Sequence, residues 1–149
     1  MFVLTCKLNK KRALLIIVAA AVILAVLAIA LGSPEKDAAA PRVRNNADRV
    51  KYLHSLGWEV ETEPVSEKKV IIPQEFSGVY ESYNEMQIAQ GFDLRKYRGL
   101  EVTIYTYNVT NYRGYTGSVV ADLYVLNFEV AGGDVRSLAL DGFMHGLRR

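Results

Sequence analysis

The apolar positions of this chain change period along its length, and each change marks a different element. From Ala13 to Leu31 they are unbroken (ALLIIVAAAVILAVLAIAL). As a helix this run rises roughly 28 Å, close to the hydrocarbon thickness of a bilayer, and it predicts a transmembrane segment. Residues 32–45 are small, charged and proline-bearing, with no apolar period, and read as a linker. Ala47, Val50, Leu53 and Leu56 then recur at helical steps behind a capping Asn45 or Asn46, with Gly57 as the stop and Trp58 packing back. Alternation in residues 58–62 (WEVET), followed by an apolar run at 69–72 that ends at Pro73, predicts a short antiparallel pair.

A second helix is expected over residues 74–90, where Phe76, Val79, Tyr80, Tyr83 and Gln87 form one stripe and Gly91 supplies the stop. Asp93 caps a short turn leading into the strand-forming segments 101–110 and 118–128. A tight turn at Asn127-Phe128 leads to a third strand, 129–137, in which Gly132-Gly133 marks a bulge or a close backbone approach. The ending LALDGFMHGLRR is apolar enough to pack and too glycine-rich for a helix. The order α-β-β-α-β-β-β predicts an α+β domain: an antiparallel sheet of about five strands with its helices against one face. Val102 and Ile104 oppose Tyr105, Tyr107 and Val109 by alternation, so both faces of that sheet are partly apolar.

Half of the 149 residues are apolar, and the 13–31 run accounts for the excess. Its length exceeds the roughly 7–15 residues of a signal-peptide core, so an uncleaved anchor is favoured over cleavage at the Ala28/Ala30 pattern. Lys7, Lys10, Lys11 and Arg12 precede it without an acid, which places residues 1–12 in the cytoplasm and the domain, residues 46–149, outside a single-pass anchor in the cell membrane. The formal net charge of +2 belongs to that tail, because fourteen basic residues then remain against 16 acidic ones. The basic balance is therefore no nucleic-acid signature. The single cysteine, Cys6, precedes the apolar run, and thiol or cysteine-metal chemistry in the domain is excluded.

Candidate chemistry is sparse. Asp134, Ser137, Asp141 and His145 lie close in sequence, but HExxH, GxSxG and paired CxxC are absent. Asp beside glycine commonly bonds turn amides, and His145 and His54 read as packing or boundary residues. All nine tyrosines follow residue 50, and Tyr105, Tyr107, Tyr112, Tyr115 and Tyr124 surround one expected hairpin. Such a face can stack a sugar or receive a protein, against the plainer reading of cross-strand tyrosine pairs. Glu59, Glu61 and Glu63 read as a solvated face, and Asn108-Val109-Thr110 is a formal glycosylation sequon, which matters only in a eukaryotic secretory pathway.

The basic start, one apolar span, LGWEV, GFDLRKYRG at 91–99, YTYNVTNYRGY, GGDV at 132–135 and DGFMHGL at 141–147 together resemble a small bacterial family catalogued as domain of unknown function 4830. The resemblance spans nearly the whole chain and implies a clostridial, Gram-positive envelope with the domain facing the wall. It implies no activity, cofactor or catalytic residue. Arg136 departs from the family pattern, in which a cysteine is common there, and this weakens a thiol role. The expectation is a non-enzymatic binding module of the cell envelope, held in the bilayer through residues 13–31 and engaging an envelope protein or wall polymer, without a metal, a cofactor or nucleic acid. The rivals are a small envelope hydrolase or metal-dependent enzyme using Asp134, Asp141 and His145, and a single-pass signalling protein.

Overall fold

The computed structural model describes residues 40–148. The basic tail, the expected transmembrane span and most of the linker lie outside the described residues. Among those described, no helix is long and apolar enough to cross a membrane.

Helix α1 (Asn46–Ser55) starts where Asn45, in extended backbone, accepts a hydrogen bond from the Asp48 amide. It ends as its sequence requires. Gly57 takes φ +87°, its amide bonds the His54 carbonyl, and the Trp58 amide bonds the Leu53 carbonyl. Strand β1 (Ser66–Ile71) follows, then α2 (Val79–Ile88), a 3₁₀ turn (Leu94–Tyr97) capped by Asp93, and strands β2 (Glu101–Asn108), β3 (Val119–Leu126), β4 (Glu129–Ser137) and β5 (Met144–Gly146). All five strands form one antiparallel sheet in chain order. The α+β class and the five-stranded antiparallel sheet are as expected, but three details differ.

First, residues 58–62 do not pair with 69–72. Both segments run along β2: Val60 bridges Val109, and β1 pairs with 101–106. The intervening stretch around Pro64 loops out, so the two read as one interrupted strand, and the alternation of buried Trp58 and Val60 with exposed Glu59 and Glu61 is genuine. Second, the fifth strand comes from the glycine-rich ending, where β5 pairs with Asp134–Arg136.

Third, the helices occupy opposite faces. Cross-strand registry puts Tyr105, Tyr107, Ala121, Leu123 and Val135 on one side, and Val102, Ile104, Asp122, Tyr124 and Asp134 on the other. Helix α1 covers the first side, where Leu53, Trp58, Tyr107, Leu123, Val135 and Leu147 form the larger core. Helix α2 and the 3₁₀ turn cover the second, over a smaller cluster of Ile72, Leu94 and Val102. Sandwiching the sheet resolves its two apolar faces, since each finds its own cover.

The β3–β4 hairpin turns on Asn127 (φ 50°) and Phe128 (φ 67°), a two-residue loop with both central residues left-handed. The second position normally takes glycine, and a side chain there costs about 1–2 kcal/mol. One step inward, the register shifts between Tyr124 and Val125, which pair with Gly132 and Val130 and leave Ala131 as the bulge.

Candidate functional site

On the α1 face the aromatic residues are already engaged. Tyr107 is wholly buried, and its hydroxyl donates to Asn46 Oδ1 (2.7 Å) and accepts from Arg49 Nε (2.8 Å). Burial raises its pKa. The Arg49 guanidinium lies 3.7 Å over the Tyr105 ring. Tyr112 stacks on Trp58 (5.8 Å, 5° between planes) and on Phe143 (4.7 Å), and its hydroxyl meets His145 Nε2 at 3.1 Å. Tyr115 meets Phe143 edge-on. The Trp58 indole N–H donates to the Leu147 carbonyl (2.6 Å), tying the last strand to the end of α1.

On the α2 face the buried side of the helix is polar. Asn84, Gln87 and Gln90 are almost completely buried. Gln87 accepts from the Gly133 amide (2.9 Å) and donates to the Gly133 carbonyl (3.0 Å). Gln90 donates to that same carbonyl and accepts from the Leu147 amide (2.6 Å). Asn84 holds Asp93 and the Leu94 amide, which orients the 3₁₀ turn. Two amide side chains thereby clamp β4 and β5 by their backbones. Only a bare backbone admits them: a Cβ at Gly132 would stand 2.8 Å from Gln87 Oε1, and one at Gly146 would collide with the Gln90 amide. This explains Gly132 of the Gly132-Gly133 pair expected to mark a close approach; at Gly133 a Cβ would instead meet the Leu147 side chain on the other face. The clamp itself escaped the sequence reading, because Asn and Gln on a helix ordinarily signal solvent; glycines facing them across the sheet were the available clue.

Beside the clamp lies Asp134, 1% exposed. Tyr83 donates to its Oδ2 (2.6 Å), while Oδ1 is buried without a hydrogen-bond partner. Burial pushes the Asp134 carboxyl up to about 7; the Tyr83 hydrogen bond and Arg136 pull it down, and the nearby Asp122 charge pushes the same way as burial. Burial also raises the Tyr83 phenol and lifts Tyr124, whose ring lies 6.1 Å from that of Tyr83, to about 12. Asp122 itself accepts from Thr106 and from Arg136 (2.9 Å), so Arg136 serves an ion pair.

The Tyr83 and Tyr124 rings form the inner wall of a groove between α2 and the β1–β2 edge of the sheet. Its volume is about 390 Å³, and Val70, Ile72, Phe76, Val79, Tyr80, Leu94 and Ile104 complete most of the lining. Val79 is 84% exposed and Tyr80 50%, although the sequence stripe had assigned both to a buried helix face. The helix starts only at Val79, behind Gly78 with no side-chain cap, and turns inward Gln87, a member of that stripe, together with Asn84, which lies outside it. Exposed apolar residues around a concavity are what a binding site leaves unburied.

The structure separates the residues singled out in the sequence. Tyr105, Tyr107, Tyr112 and Tyr115 share the α1 side, and Tyr124 lies on the α2 side with Tyr83. Asp134 and His145 project from opposite faces, His145 pairing in register with Val135. Asp141 is exposed in the β4–β5 loop, and Ser137 is buried with its hydroxyl unpartnered. Among the described residues, no three His, Cys, Asp or Glu side chains are grouped to hold a metal.

Comparison with curated proteins yields no match, and comparison with solved structures yields none. The profile of a known family, described as a domain of unknown function (DUF4830), matches residues 52–134, from within α1 through the Gly132-Gly133 pair to Asp134. That is more than half of the chain, and the chain belongs to this family.

Proposed function

We propose that this chain is a membrane-tethered, extracytoplasmic binding module without catalytic activity, and that the α2-face groove takes an apolar segment of a partner envelope protein. The observation that carries this reading is the groove itself, concave and apolar, with Val79 and Tyr80 left open to solvent beside it. Among the described residues neighbouring β1 is an edge strand, bonded in the sheet only to β2, so an extended partner segment has a backbone to lie along while alternate side chains enter the groove. Lys68, Lys69 and Glu67 on that edge oppose indiscriminate pairing and favour a partner of matching charge pattern. The 13–31 run supports the tether, and the purely basic residues 7–12 support the orientation.

The test is photo-crosslinking in the intact bacterial envelope, with a benzophenone side chain at position 79 or, as control, at the fully exposed position 140. A reproducible protein adduct from position 79 alone is expected. No adduct from position 79, or the same adduct from both positions, overturns the assignment.

A further inference from the structure

We infer that the end of the sheet carrying Ile71, Leu100 and Phe128 is a lipid-contacting tip that rests on the bilayer surface. The inference rests on the membrane tether proposed above, and goes beyond it by assigning the domain a second surface, which adjoins the groove at Ile71.

Registry places the end of β1, the start of β2, the end of β3 and the start of β4 side by side, since Ile71 pairs with Glu101, Thr103 with Val125 and Leu126 with Glu129. Ile71 is 66% exposed, Leu100 46% and Phe128 59%, so three large apolar side chains crown a single edge. Neighbouring strands lie about 5 Å apart, so Ile71 and Phe128 are separated by little more than two strand spacings. Phe128 stands where a glycine would relieve the left-handed backbone, and a strained residue that is also exposed and apolar contributes nothing to the core.

The chain's attachment selects the occupant. The Val43 amide bonds the Phe128 carbonyl, the Val130 amide bonds the Pro41 carbonyl, and Arg42 bridges Glu129. The segment leading back to the 13–31 run is thus fixed to this end of the sheet, and fewer than ten residues separate that run from Pro41. A linker of that length keeps the tip within reach of the membrane surface. Lys96 and Arg98 sit on the turn beside Leu100, at the depth of anionic headgroups, Arg98 with its guanidinium 5.3 Å over the Phe76 ring, while Arg42 and Lys69 are held in ion pairs with Glu129 and Glu101. The opposite end of the sheet carries the β4–β5 loop with Leu140, fully exposed and remote from the attachment.

The test uses the full chain reconstituted in vesicles of phosphatidylcholine and phosphatidylglycerol, with brominated acyl chains as quenchers. Phe128→Trp and Leu140→Trp report on the two ends, over a constant background from Trp58, which is buried. At least twofold stronger bromolipid quenching of the Phe128→Trp reporter than of the Leu140→Trp reporter is expected, together with a blue shift that Arg98→Glu reduces. Flotation and carbonate resistance are read on the same samples. A chain that floats and resists carbonate, yet shows equal quenching at both ends, overturns the tip and leaves the tether standing. A chain that does not float overturns the tether, and the tip with it. Protection of the Phe128→Trp reporter from acrylamide in native envelope vesicles, without bromolipid quenching, assigns the tip to a protein partner and overturns the lipid assignment.

Discussion

Replacing Asp134 with Asn isolates the largest electrostatic cost visible in the fold. The carboxyl has an ordinary pKa of 3.8 in the unfolded chain and about 7 when buried. Because the folded value is the higher one, the folded state retains the proton more strongly, and this residue's stability contribution is complete below pH 4. It declines as pH rises from about 4 to about 7, and is flat above that. Three pKa units at about 1.4 kcal/mol each give a loss of about 4 kcal/mol across the window. Asparagine retains an oxygen to accept from Tyr83 and carries no charge to desolvate. Urea unfolding of residues 40–149 at pH values between 4 and 8 is the assay. The Asp134→Asn domain is expected to match wild type within about 1 kcal/mol near pH 4 and to exceed it by several kcal/mol at pH 8. Parallel stability curves for the two proteins would refute the reasoning, because they would mean that Asp134 ionises as easily in the fold as outside it.

Two further outcomes follow from the clamp. Gln87→Leu leaves the Gly133 amide without its acceptor and removes one of the two donors to the Gly133 carbonyl, and is expected to cost about 1–3 kcal/mol by denaturant midpoint, with accelerated hydrogen exchange at Gly133. Gly133→Ala forces a Cβ into the Leu147 side chain and to 2.5 Å from the Asp122 carbonyl, which is backbone and cannot swing aside. A loss of about 1–3 kcal/mol or more is expected, read from the thermal midpoint, with the β5 amides losing protection first.

The parts of this fold that were legible in the sequence are those whose signals are local. Asn45, the three-residue apolar steps, Gly57 and Trp58 specify α1 and its stop without help from elsewhere. Asp93, the hairpin at Asn127-Phe128 and the span of β4 are equally self-contained. What escaped was set by partners distant in sequence. Residues 58–62 alternate correctly, yet their partner is the end of β2, some fifty residues away. Met144–Gly146 is a strand because β4 offers it an edge, and three residues carry no period of their own. Of the stripe expected on α2, Gln87 does face inward, where Gly132 opposite makes room, whereas Phe76, Val79, Tyr80 and Tyr83 line an open groove. The five singled-out tyrosines were divided by a cross-strand register, which adjacency in sequence does not reveal.

The strand order of the sheet is the order of the chain, and this bears on how the domain assembles. The β2–β3, β3–β4 and β4–β5 pairings each close a short loop, so the right-hand part of the sheet can zip up from the strained hairpin outward with little loss of chain entropy. Pairing β1 with β2 is different: it must bring together the two ends of the segment Ile72–Leu100, which holds α2 and the 3₁₀ turn. The groove is bounded by the elements joined in that last closure. A nascent chain would therefore complete its three-hairpin meander before it owns a binding surface, and partial unfolding would dismantle that surface while the meander persists.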